Sequence, residues 1–146
     1  MKRHVIGSYC SLRNLRLLLF LIICPMLLWN CVTFYDQVTD QNLTELKSEV
    51  LALYDTFTGN SLNVEEIDAI KRSFVQILGY EKNKGKRNAD TVRQIEIIQQ
   101  MFEGHVDDRR SSGKWSTTHL NNQKENIAEA FDIAIQTENL KPRCSK

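Results

Sequence analysis

The sequence predicts an all-α protein, a small antiparallel bundle of about four helices. Beyond residue 40, apolar residues recur at alternating intervals of three and four, which is the spacing of one face of an α-helix. No segment alternates apolar and polar residues over the length of a strand. Glycine and proline are scarce, at six and two of 146 residues, so few turns interrupt the helical segments.

The first predicted helix runs from about residue 41 to residue 57. Thr39 or Asp40 is expected to be its N-cap, because both residue types accept hydrogen bonds from the first backbone N–H groups of a helix. Turn-forming residues at 58–61 end it. Its apolar stripe consists of Leu43, Leu46, Val50, Leu53 and Phe57.

The second predicted helix begins after Asn63, which lies three residues before Glu66 and so has the spacing of a capping box. We expect Gly79 to end this helix and residues 81–87 to form a basic polar loop. Its apolar stripe consists of Ile67, Ile70, Phe74 and Ile77.

Two further helices complete the predicted bundle. The third runs from residue 89 or 90 to about residue 106 and is followed by the break Ser111-Ser112-Gly113. The fourth begins after Ser116 as N-cap and reaches Asn139, before Pro142 closes the structured part. Their inner positions are Val92, Ile95, Ile98 and Phe102 in the third helix and Leu120, Ile127, Phe131 and Ile135 in the fourth, where Ala130 and Ala134 permit close packing.

The first 30 residues have the pattern of an export signal. A basic, polar segment reaches Arg16, and an uncharged apolar run of 13 residues follows at 17–29. A membrane-spanning helix needs about 20 apolar residues, so this run is short for a permanent span, and Pro25 interrupts it. Both features favour a secretory signal and place the rest of the chain outside the cytoplasm.

The end of this signal resembles the lipobox of bacterial lipoproteins. Leu28-Trp29-Asn30-Cys31 matches at Leu28 and Cys31 and departs at Trp29 and Asn30, where small residues are usual. We therefore predict cleavage before Cys31 and lipid attachment to its thiol. The alternative is an uncleaved signal anchor without lipid, which puts the domain on the same side of the membrane.

The predicted organisation is a signal peptide at 1–30, a lipidated tether at 31–40, the helical bundle at 41–141 and a tail at 142–146. From Cys31 onward, 15 basic residues stand against 18 acidic ones, which gives no reason to expect nucleic acid as a partner. The remaining cysteines, Cys10, Cys24 and Cys144, form no Cys-x-x-Cys pair, which argues against a zinc site and a disulfide framework. In the mature protein Cys144 is expected to be a lone thiol in the tail.

Candidate chemistry beyond the anchor is sparse. His105 and Asp108 share a helix face, and His119 would approach them only if the turn at Gly113 folds that way, so a metal site there lacks ligands. Four basic residues between the second and third helices are suited to the phosphates of lipid or lipopolysaccharide: Lys82, Lys84, Lys86 and Arg87. No nucleophile elbow or phosphate-binding loop is present, so we expect no catalytic residues, no cofactor and no metal.

The start of the exported part resembles small, uncharacterised proteobacterial lipoproteins. In that group a Tyr-Asp-x-x-Thr-Asp run closely follows the lipid-bearing cysteine, as Tyr35-Asp36-x-x-Thr39-Asp40 follows Cys31 here. A weaker likeness lies near the other end, in Asn126, Ala130, Phe131, Glu138 and Lys141. The resemblance implies lipid on Cys31 and implies no activity.

The function expected from the sequence is that of a non-enzymatic, membrane-anchored bacterial lipoprotein with a structural or binding role at the cell envelope. Its partners are the membrane, through the lipid anchor, and an envelope protein. Val32 rather than Asp follows Cys31, which favours the outer over the inner membrane, with the domain facing the periplasm or the surface. The alternatives are an exclusion or immunity lipoprotein of a mobile element and a hydrolase or metal enzyme that uses His105 or His119.

Overall fold

A computed structural model describes residues 34–143, so the predictions for the signal, Cys31 and Cys144 lie outside the described residues. The described residues form four α-helices and no strand, which confirms the all-α bundle. The helices are α1 (Gln37–Asp55), α2 (Val64–Asn83), α3 (Ala89–Ser112) and α4 (Thr117–Asn139). Short 3₁₀ turns follow α1 at Thr56–Thr58 and precede α3 at Lys86–Asn88. None of these helices is long and apolar enough to cross a membrane.

The four helices pack in a closed ring, since each contacts the next along the chain and α4 contacts α1. The short connections make neighbours antiparallel. One end is here called the proximal end, because the described part of the chain begins there. It comprises residues 34–44, 77–96 and 133–143. The opposite, distal end holds the end of α1, the start of α2 and the turn between α3 and α4.

The predicted apolar stripes form the core. Tyr54, Phe57, Phe74, Phe102 and Phe131 are its largest buried side chains, and each is fully buried. Every member of the stripes predicted for α1 and α2 is buried, whereas Val92 and Ile135 are only partly buried against the core. Burying an aromatic or branched aliphatic side chain contributes about 1.5–3 kcal/mol, so these stripes supply most of the stability of helices too short to persist alone.

Two predicted helix starts and the predicted break at Gly113 are confirmed, although α3 continues past its predicted end at about Val106 to Ser112. The Asn63 side chain accepts from the Glu66 backbone N–H at the start of α2, and the Ser116 hydroxyl accepts from the His119 N–H at the start of α4. Gly113 ends α3 with φ +79° and ψ −156°, a backbone region that is open almost only to glycine.

Two other predicted boundaries are wrong. α1 begins at Gln37 with Asp36 as N-cap, so Thr39 and Asp40 lie inside the helix and its first residues do not belong to a tether. α2 continues through Gly79 to Asn83. A glycine inside a helix costs about 1 kcal/mol, and here the additional turn carries Tyr80 and the fully buried Glu81 into contacts that offset this cost.

Candidate functional site

Asp36 lies at the centre of a polar cluster at the proximal end. Its Oδ1 accepts from the Val38 N–H at 2.9 Å, which caps α1. Its Oδ2 accepts from the Tyr80 hydroxyl at 2.6 Å and lies 2.7 Å from Lys84 Nζ, both contributed by the end of α2. Partial burial alone would raise the pKa of Asp36, but the hydrogen bonds from Lys84, Tyr80 and Val38 outweigh it and lower the pKa to about 2.

Glu81, on the last turn of α2, is fully buried. Its Oε1 accepts from the Thr39 hydroxyl at 2.6 Å and from Lys84 Nζ at 2.9 Å. Its Oε2 accepts from the side-chain amide of Asn88, which is itself buried in the turn before α3. A buried carboxylate with three donors keeps its charge compensated, as burial requires.

Glu138, near the end of α4, is the second buried carboxylate, with a relative exposure of 1%. Its Oε1 accepts from the Asp36 backbone N–H at 2.8 Å, and its Oε2 pairs with Lys141 Nζ. The same Nζ donates to Asn88 Oδ1 and to the Thr91 hydroxyl, each at 2.9 Å. The end of α4 is therefore joined to the start of α1 and to the start of α3.

These contacts close on themselves. The circuit, here called the proximal polar ring, is made by Asp36, Lys84, Glu81, Asn88, Lys141 and Glu138. It takes at least one residue from α1 or its cap, from α2, from the turn before α3 and from α4. Its three carboxylates face two ammonium groups, so its charges are nearly balanced. The ring locks all four helices together at one end of the bundle.

The ring unites the two sequence motifs on which the family resemblance rests. Asp36 and Thr39 of the first motif contact Lys84 and Glu81, and Asp40 accepts from Asn139 Nδ2 at 2.8 Å. Glu138 and Lys141 of the second motif are members of the ring, so segments about 100 residues apart in sequence meet there. In contrast, Asn126 is exposed and lies outside the ring.

The predicted basic loop is divided between structure and surface. Lys84 is committed to the proximal polar ring, and Lys82 pairs with Glu96 at 2.9 Å. Partial burial would lower the pKa of Lys84, but its bonds to Asp36 and Glu81 raise it. Lys86 and Arg87 are exposed and have no carboxylate partner among the described residues.

The second cluster lies at the distal end and contains the predicted histidines. Asp108 Oδ2 accepts from Trp115 Nε1 at 2.9 Å and lies 3.0 Å from His119 Nε2. The turn at Gly113 thus brings His119 to Asp108. His105 instead bonds through Nδ1 to the Tyr54 hydroxyl, at 2.7 Å.

Burial and aromatic packing explain why this cluster is suited to holding the bundle together. The Trp115 ring contacts Tyr54, Phe57, His105 and His119 edge to face. Burial lowers the pKa of His105, and although Asp108 opposes this shift, His119 adds to it. Burial also raises the pKa of Tyr54, so its hydroxyl stays protonated. No group of three or more potential metal ligands occurs within residues 34–143.

Arg109 completes the distal cluster. It is 4% exposed, and its guanidinium donates to the backbone carbonyls of Phe57 and Gly59, each at 2.7 Å. The backbone N–H of Trp115 also donates to the Phe57 carbonyl, at 3.0 Å. These bonds satisfy two carbonyls of the turn between α1 and α2, one of which belongs to the fully buried Phe57.

The sequence also contains a signal for the buried polar residues, which are not members of the predicted apolar stripes. Each one continues a stripe at the same three-and-four spacing: Glu81 follows Ile77 by four, Glu138 follows Ala134 by four, and Arg109 follows Val106 by three. Thr39 and Thr91 precede the stripes of α1 and α3 in the same way. A polar residue in the register of a buried face, at a helix end, is therefore a candidate for burial, although the spacing does not identify its partner.

Comparison with known proteins adds no assignment. The chain matches no protein-family model, no curated protein and no solved structure.

Proposed function

We propose that this protein is a bacterial lipoprotein, held on the membrane by lipid on Cys31, whose bundle has a structural or binding role at the cell envelope. The observation that carries the proposal is where the folded unit begins. The described part of the chain begins at Phe34, three residues after Cys31, and its first helix begins at Gln37 with Asp36 as N-cap. A signal predicted at residues 1–30, followed within a few residues by a capped helix, is consistent with processing before Cys31.

The proximal polar ring supports this proposal mechanically. Among the described residues, Tyr35 and Asp36 are the first that hydrogen-bond to distant parts of the chain, through the Pro142 carbonyl and Glu138. A pull on the anchor is therefore transmitted into α4 and α2 rather than into a frayed end of α1. Such a connection suits a domain that works while tethered by its amino terminus.

A binding or structural role is favoured over catalysis by the way the polar side chains are used. The buried carboxylates, lysines and arginine hydrogen-bond to one another or to the backbone. His105 and His119 are occupied with Tyr54 and Asp108. The proposal therefore assigns no catalytic residue. The family resemblance and the outer-membrane preference that follows from Val32 belong to the same proposal.

The test is the intact mass of the protein extracted from bacterial membranes. We expect a mass that lacks residues 1–30 and contains diacylglycerol and an amide-linked acyl chain on Cys31. Cys31→Ser is expected to retain the signal and carry no lipid, while the matched variant Cys24→Ser is processed like the wild type. An unmodified full-length mass for the wild type would refute the proposal.

A further inference from the structure

The proximal end exposes both apolar and basic side chains. Phe34, Val38 and Leu140 are 53%, 46% and 77% exposed. Lys86 and Arg87 are exposed in the turn before α3. Aliphatic and aromatic groups next to lysine and arginine are the composition of surfaces that lie against lipid headgroups.

The turn that carries Lys86 and Arg87 is held in place from within. Gly85 enters it with φ +84°, and the Asn88 N–H donates back to the Gly85 carbonyl at 3.1 Å. Asn88, directly after Arg87, is 4% exposed and bonded on both sides of its amide, to Glu81 and Lys141. The two exposed cations are therefore fixed on a rigid support that the proximal polar ring provides.

Charge is distributed unevenly along the bundle. The proximal end contains seven basic and six acidic residues, of which two basic and three acidic residues pair with each other in the proximal polar ring, so five basic and three acidic residues remain outside it. The rest of the described domain, residues 45–76 and 97–132, contains seven basic and 12 acidic residues. An anionic surface would attract the proximal end and repel the remainder.

The distance to the anchor limits what can face the proximal end. Only Val32 and Thr33 separate Cys31 from Phe34. Three residue steps span at most about 11 Å even when fully extended. If Cys31 carries lipid, Phe34 can never be farther than this from the anchored cysteine. The basic turn is joined to the same part of the chain, because Lys84, two residues before Lys86, pairs with Asp36 at 2.7 Å.

We propose that the proximal end is a membrane-contact surface, on which Lys86 and Arg87 bind the phosphates of anionic phospholipids in the bilayer that holds the anchor. This inference rests on the proposed lipid anchor. Phe34 and Leu140 enter the headgroup region beside the two cations. The bundle is thereby held upright, and its acidic distal end points away from the membrane and is left free for a partner.

The experiment uses the protein extracted from bacterial membranes and reconstituted into vesicles. It measures how fast a water-soluble acetylating reagent modifies each lysine. The vesicles are phosphatidylcholine alone or contain roughly one third phosphatidylglycerol. We expect acetylation of Lys86 to slow about threefold or more on the anionic vesicles and to recover at 1 M salt, where the Debye length is about 3 Å. Lys71, on the middle of α2, is the internal control and is expected to react equally on both vesicles.

A matched pair of variants tests the role of the two cations. In the wild type we expect Lys82, four residues before Lys86, also to react more slowly on the anionic vesicles. In Lys86→Ser/Arg87→Ser this slower acetylation of Lys82 is expected to disappear. Lys71→Ser/Arg72→Ser removes the same two residue types from α2, away from the proximal end. This control variant is expected to retain the slower acetylation of Lys82. If instead the two double variants behave alike, Lys86 and Arg87 do not bind the membrane.

The intact mass of the same preparation keeps the two proposals apart. A lipidated protein whose Lys86 reacts equally on both vesicles refutes the membrane-contact surface and leaves the lipoprotein proposal standing. A protein without lipid refutes the lipoprotein proposal. In that case slower acetylation of Lys86 on anionic vesicles still supports the contact surface, and equal reaction refutes it.

Discussion

Replacing Glu138 by glutamine tests the proximal polar ring most directly. The carboxylate is 1% exposed and accepts from the Asp36 N–H at 2.8 Å and from Lys141. Glutamine keeps an oxygen for the N–H but removes the charge that compensates the ammonium group. Lys141, whose side chain is 10% exposed, then retains only the neutral oxygens of Asn88 and Thr91.

Removing one partner of a buried ion pair costs about 3–5 kcal/mol. We expect Glu138→Gln to lower the free energy of unfolding by about 3 kcal/mol, at the low end of this range, because Asn88 and Thr91 still solvate the ammonium group and glutamine keeps one hydrogen bond. For a domain a little over 100 residues long, each kcal/mol shifts the melting temperature by about 4 °C. The expected shift is therefore about 12 °C.

The assay is urea unfolding of the full chain in mild detergent, followed by far-ultraviolet circular dichroism. Glu129→Gln neutralises an exposed carboxylate on the same helix and is the matched control, expected to remain within about 0.5 kcal/mol of the wild type. In Glu138→Gln/Lys141→Met the orphaned ammonium group is also removed. The double variant should therefore be at least about 1 kcal/mol more stable than the sum of the single changes predicts.

The ring is refuted as a stabilising element if Glu138→Gln unfolds within about 0.5 kcal/mol of the wild type. Strict additivity of the double variant would have a narrower meaning. It would indicate that Glu138 stabilises the fold through the Asp36 N–H and not through Lys141.

Three further predictions concern pH and the backbone. Burial lowers the pKa of His105, so the contribution of the neutral imidazole to stability is complete above about pH 6.5 and is lost as the pH falls below this value towards the folded-state pKa. Urea midpoints measured against pH should show this decline, and His105→Gln should lack the decline. The pKa of Asp36 is lowered from its ordinary value of 3.8 to about 2, so stability is lost as the pH falls from 3.8 towards 2. We expect a loss of about 1–2 kcal/mol after allowance for solvent screening, and Asp36→Asn should not show this loss. Gly113→Ala forces alanine to φ +79° and should destabilise the fold by about 1–3 kcal/mol. Gly104→Ala, inside α3 with open space around the new methyl group, should stabilise the fold by about 0.5–1 kcal/mol in the same unfolding assay. A loss of equal size at both positions would contradict the backbone argument.

The helices themselves were predictable because their determinants are local. Apolar residues at three-and-four spacing mark the buried face of each helix regardless of what packs against it. Asn63 and Ser116 cap their helices with their own side chains, and Gly113 ends α3 through its own backbone. Local rules misplaced the start of α1, the passage of α2 through Gly79 and the end of α3, which continues past Val106 to Ser112 and carries Arg109 to the distant carbonyls of Phe57 and Gly59.

The polar contacts were not predictable to the same degree. Glu81 and Lys84 lie in a segment whose composition predicts a solvated loop, and the structure places both in the proximal polar ring. His119 meets Asp108 because the turn at Gly113 returns the chain against α3, which the sequence left open. A polar residue at a helix end has the same local pattern whether water or a partner satisfies it.

The sequence by itself determined the class of fold, the core face of each helix and the short apolar run at residues 17–29, which precedes Cys31. Each of these depends on spacing and composition along one stretch of chain. Only the tertiary structure decided that Asp36, Glu81 and Glu138 join four helices in one ring. A carboxylate can be buried only where cations and N–H groups converge on it, and these donors come from segments up to about 100 residues away that the antiparallel packing alone brings together.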